Sequence, residues 1–62
     1  MNLYTATMIA EGADQPEDEV QYLEAWQYLI NTGACWQLQG WFGRTAKGLI
    51  DAGYCSPPQE VQ

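Results

Sequence analysis

Between Glu17 and Thr32 the apolar positions recur at helical spacing. Tyr22, Leu23, Ala25, Trp26, Leu29 and Ile30 fall within an arc of about 160° at about 100° per residue. Gln21, Glu24, Gln27 and Asn31 lie opposite, with Tyr28 among them. The spacing predicts a helix from Pro16 to about Thr32. Pro16 suits its first turn, Asp14 or Gln15 its cap, and Gly33 the left-handed position that ends it.

A second amphipathic stretch is predicted from about Leu38 to Ala52. Leu38, Trp41, Phe42, Thr45, Ala46, Leu49 and Ile50 line one side, and Gly40, Gly43, Arg44, Lys47, Gly48 and Asp51 line the other. Gly53 supplies the stop. Ala34 to Gln39, carrying Trp36, reads as a short connection of one helical turn.

The first ten residues fit two templates. Leu3, Ala6 and Ala10 share a helical face; Leu3, Thr5, Thr7 and Ile9 share a strand face. A lone strand has nothing to pair with, so helix is favoured, with Asn2 as its cap and Gly12 as its stop. The expected fold is therefore all-α: a small three-helix domain over residues 1–55. The second and third helices form an antiparallel pair, and residues 56–62 form a flexible tail.

Composition narrows the function. Sixty-two residues make one small domain, a size at which partners or cross-links often supplement the core. The net charge is −6, and six of the eight acids lie in the first 24 residues. Arg44 and Lys47 are the chain's two basic residues. Such a chain repels DNA, RNA and anionic membranes. It suits a protein partner, and its small aromatic core makes a homo-oligomer plausible. No secretory signal and no apolar run of about 18–20 residues is evident, so the chain reads as cytoplasmic, without a membrane span.

Glu17, Asp18 and Glu19 have a structural reason to cluster. In the first turn of a helix, carboxylates complement the positive end of its dipole. The functional alternative is an acidic face that docks on a basic protein surface.

The three glycines at or inside the third helix each cost about 1 kcal/mol against Ala. Close approach of another segment of the chain explains them, and so does close approach of a partner beside Arg44 and Lys47. Arg44 reads as a stacked or ion-paired side chain, the pair being with a carboxylate of the second helix, or as an interface anchor. Tyr28 carries the same two readings. Candidate protein-binding residues are thus Glu17, Asp18, Glu19, Tyr28, Trp41, Gly43, Arg44 and Lys47.

Catalysis finds little to use. There is no His, so no Ser–His or Cys–His pair and no zinc set completed by His. No phosphate loop or calcium loop is present. Cys35 and Cys55 read as buried thiols, kept apart by the third helix unless the tail folds back. No cofactor and no enzymatic activity are expected. A helix-turn-helix reading, with Arg44 and Lys47 on the recognition helix, meets the objection of two bases against eight acids.

The run Ala25-Trp26-Gln27-Tyr28-Leu29-Ile30-Asn31-Thr32-Gly33 continues into Trp36-Gln37-Leu38-Gln39-Gly40-Trp41-Phe42-Gly43-Arg44-Thr45-Ala46. It then passes through Leu49-Ile50 to Gly53-Tyr54-Cys55. This pattern resembles a group of small proteins encoded by tailed bacteriophages, and covers about residues 25 to 55. The resemblance implies a viral origin, action in a bacterial cytoplasm and a small binding protein directed at a host or phage protein. It transfers no catalytic residue. A self-associating or virion-associated structural protein is the alternative.

Overall fold

The computed structural model describes residues 1–58 and holds four helices in that span. The all-α expectation holds, with one helix more than expected.

α1 spans Leu3–Glu11. The Asn2 side chain accepts from the Thr5 backbone N–H at 2.8 Å, satisfying one of the free donors of the first turn. Gly12 ends the helix at φ 83°. Its N–H donates to Ile9 O and that of Ala13 to Met8 O, so the last carbonyls are met. The helical reading of the ambiguous first segment is the correct one.

α2 spans Glu19–Thr32, three residues shorter at its start than Pro16 predicts. Asp18 sets the boundary. Its carboxylate accepts from the Gln21 N–H at 2.8 Å, and Gln21 Oε1 reaches back to accept from the Glu17 N–H at 2.6 Å. This reciprocal arrangement, a variant of the capping box, outcompetes the proline signal. At the other end Gly33 has φ 80°, as its position predicts.

The connection forms its own single turn, α3, Ala34–Gln37. Leu38 (φ −82°, ψ −169°) and Gln39 (φ −58°, ψ 151°) are extended. The last long helix, α4, therefore starts at Gly40 rather than Leu38 and runs to Asp51. Leu38 leaves the apolar stripe assigned to it and is exposed. Gly53, at φ 86°, turns the chain after α4.

The core gathers Trp26, Leu29 and Ile30 from α2, Phe42 and Ala46 from α4, Ala6 and Ile9 from α1, and Cys35 from α3. Fully burying a large apolar side chain stabilises by about 1.5–3 kcal/mol, so these few residues carry the fold. α1 packs most closely on α2, where Ala6, Ala10 and Ala25 are buried. α2 and α4 meet through larger rings instead. Trp26 lies 5.9 Å from Phe42 and 6.3 Å, edge to face, from Trp41. Trp26 Nε1 is buried without a hydrogen-bond partner among the described residues. Such an orphaned donor costs about 1–3 kcal/mol.

α4 begins beside α3, at the end of α2, where Gly43 faces Trp36 and Cys35. The segment after α4 returns to α2. Cys55 Sγ is 3.9 Å from Leu23 O, and Ser56 exchanges two hydrogen bonds with the Gln27 amide, at 2.8 and 3.0 Å. α4 thus runs back along α2, antiparallel to it. The expected tail from residue 56 is pinned at its first residue, and residues 59–62 lie outside the described span. Cys35 and Cys55 are both buried and both free, although the chain does fold back after α4.

Candidate interaction surface

The eight candidate residues fall into three places. Glu17, Asp18 and Glu19 lie at the start of α2, Tyr28 on its flank, and the others on or beside α4. Fifteen residues separate Asp18 from Gly33, about 22 Å along a helix. The acidic group and the α3–α4 junction therefore sit at opposite ends of α2.

At the acidic end, one carboxylate of three is engaged in the fold. Asp18 is the cap, while Glu17 and Glu19 flank it with exposed side chains. The expectation that all three occupy the first turn is corrected: they stand before, at and just after the helix boundary. Among the described residues no group of acids or cysteines has the arrangement to hold a metal ion.

Tyr28 is half-buried and packs against the core, not on a solvent face. It lines an open groove of about 420 Å³ with Met1, Gln21, Glu24, Gln27 and Asn31. The groove is shallow, and Gln27 on its wall is already bonded to Ser56 and Asn31.

The α3–α4 junction is differently built. The Trp36 ring lies on Gly43, where an added Cβ would stand 3.4 Å from the ring carbon Cε3. Gly43 therefore lets an indole rest on the helix backbone. Trp36 is still 47% exposed, and Leu38 beside it is 39% exposed. At Gly40 the Arg44 guanidinium folds back over the helix, with Nη1 3.0 Å from where a Cβ would sit, and this flexible end can move aside for one. Arg44 makes no ion pair among the described residues, so the expected bond to an α2 carboxylate does not form there. Gly48 has nothing within 4 Å and gains no packing from its lack of a side chain.

Trp41 belongs to the edge of the core. It stacks on Phe42 at 3.9 Å, and its Nε1 donates to Gln39 Oε1 at 3.1 Å. Lys47 donates to Asp51 Oδ2 at 2.9 Å, one turn further along the exposed face. The bond and the charge of Asp51 raise the Lys47 pKa, so its cation is retained across the neutral range.

Trp36 and Leu38 are the surface residues that sequence reasoning left out. A Trp in a short connection, seven residues before Gly43 on a polar helix face, is the available signal. It points to an indole resting on that face.

Residues 5–62 match the model of a domain family of unknown function, DUF7417. The chain belongs to that family. The match takes in both ends of α2 and all of α4, so acidic end and tryptophan face are parts of one family domain. No curated protein and no solved structure matches the chain. Among the described residues no helix is long and apolar enough to cross a membrane.

Proposed function

We propose that this chain is a non-enzymatic, phage-encoded protein-binding module that acts on a host or phage protein in the bacterial cytoplasm. Its binding face is the α3–α4 junction. One observation carries this reading: an exposed Trp36 ring held on Gly43, beside an Arg44 without an ion pair among the described residues. Trp and Arg supply a disproportionate share of binding energy at protein interfaces. The ring is held by its contact with Gly43, so less rotamer freedom is lost on binding. The acidic end supports the reading less, because Asp18 has a sufficient structural role there.

The test is affinity capture from bacterial lysate with three baits: the wild type, Trp36→Ala, and Glu17→Gln with Glu19→Gln. The last pair leaves the Asp18 cap in place. A partner kept by the wild type and the double variant, but lost by Trp36→Ala, is the expected outcome. Loss with the double variant alone would move the interface to the acidic end. A measured catalytic turnover would sink the non-enzymatic reading.

A further inference from the structure

We infer that the α3–α4 face pairs with a second copy of this chain, α4 against α4 in antiparallel fashion about a two-fold axis between Lys47 and Gly48. This rests on the reading that the face binds protein and names its occupant as the same chain. The reason is charge. A chain of net charge −6 repels its own copies over most of its surface. Both cations lie on α4, whose described charges are Arg44, Lys47 and Asp51. Among the four helices of the described residues it is the one that carries both signs, so two antiparallel copies can set cation against acid there. A basic partner would instead meet two cations here.

The spacing then gives the register. Gly40, Arg44, Lys47, Gly48 and Asp51 fall within an arc of about 100° of the helix surface. Arg44 and Asp51 are seven residues apart, about 10.5 Å along the axis. A two-fold axis midway between them places each Arg44 opposite the Asp51 of the other copy. Lys47 occupies Asp51 Oδ2, and Oδ1 carries no hydrogen bond among the described residues. Asp51 can therefore bridge its own Lys47 and the second copy's Arg44. Gly48, which has no neighbour within 4 Å in its own chain, lies at the axis. There it permits close approach of the two backbones. The exposed Trp36, resting on Gly43 at the rim, adds apolar area. Two short helices and an indole make a small interface, so the dimer dissociates at about micromolar concentration.

The experiment is sedimentation equilibrium on the full chain from about 1 to 500 µM, a range that brackets micromolar dissociation. The variants are Arg44→Asp, Asp51→Arg and the two combined, each checked for helix content by circular dichroism. Both side chains are exposed, so the fold is expected to survive. Each single swap should weaken the dimer by about tenfold or more, and the double swap should restore it to within about threefold, since it rebuilds both pairs in reverse. A monomeric wild type throughout the range overturns the inference, and so does a dimer indifferent to the single swaps. Single swaps that weaken the dimer without rescue by the double also overturn it. A monomeric wild type leaves the protein-binding reading standing, because lysate capture tests that separately; a monomer that also captures nothing ends both.

Discussion

The two ends of α2 carry opposite kinds of residue and put them to opposite uses. At its start three consecutive acids look like a binding face. One of them is spent on the helix itself, through the Asp18 cap and the returning Gln21 amide. At its end a glycine-rich, charge-poor stretch looks like weakened helix. There Gly43 supports an exposed indole, and Gly40 lies under a guanidinium. Charge density marks where a chain is soluble and where a helix starts. It is a poorer guide to an interface than a large side chain held still at the surface. The glycines also differ among themselves. Gly33 is required by its positive φ, a Cβ at Gly43 would be in van der Waals contact with the ring above it, and one at Gly48 would meet nothing inside the chain.

Gly43→Leu should produce the largest change at either end. Its Cβ would lie 3.4 Å from the Trp36 ring, and the branches beyond have no room without moving the indole. Overpacking of this kind costs about 1–3 kcal/mol, read as a lower urea midpoint. Trp36 fluorescence should shift at the same time as the ring swings into water. Gly48→Ala is the contrast. With open space at that position, the added methyl should stabilise α4 by up to about 1 kcal/mol. If both glycines responded alike, the distinction between a ring-bearing and an unsupported glycine would fail.

At the acidic end the expected effect is smaller and purely structural. Asp18→Ala removes the acceptor for the Gln21 N–H and should cost about 1 kcal/mol in thermal or urea denaturation. Glu17→Gln should cost little, since its engaged group is the backbone N–H and not its carboxylate. Asp18→Asn, which keeps an acceptor oxygen, should recover most of the lost stability. Equal losses from Glu17→Gln and Asp18→Ala would show that charge, not the cap, matters at this end.

Much of this architecture is legible in the chain, and the misses share a cause. The stripe Tyr22–Ile30 identifies α2, and Gly12, Gly33 and Gly53 mark the ends of α1, α2 and α4, each with a positive φ. The start of α2 is ambiguous in the sequence because Pro16 and Asp18 both carry start signals, and local spacing does not rank them. The start of α4 differs from the expected one because Leu38 continues the apolar period, whereas its backbone is extended. The site was harder to read. Gly43, Arg44 and Lys47 share a face by periodicity alone. That Trp36 covers Gly43 depends on the break between α3 and α4 at the extended residues Leu38 and Gln39, a feature without a local signature. The docking of Ser56 on Gln27 is likewise a contact across 29 residues.

The two cysteines give a finer probe of the same contrast, because each reports one part of α2. Cys35 lies under the α3–α4 junction, and Cys55 lies against Leu23 in the first half of α2. Burial raises both thiol pKa values above the ordinary 9.0, and a backbone hydrogen bond partly offsets this for Cys35. The unfolded chain therefore releases these protons at lower pH than the folded one. Above pH 9 or so the folded state holds more protons, and stability must fall as pH rises. This contribution is intact below the unfolded pKa and is lost progressively toward the folded values. Urea midpoints measured from about pH 7 to 10 should decline at the alkaline end. The decline should be shallower in Cys35→Ala and in Cys55→Ala, and shallowest when both are replaced, even though each replacement lowers the midpoint at neutral pH. An unchanged alkaline slope in the double variant would assign the loss to other groups. A slope that responds to Cys35→Ala alone would place the tighter burial at the tryptophan end, where Cys35 is 1% exposed against 7% for Cys55.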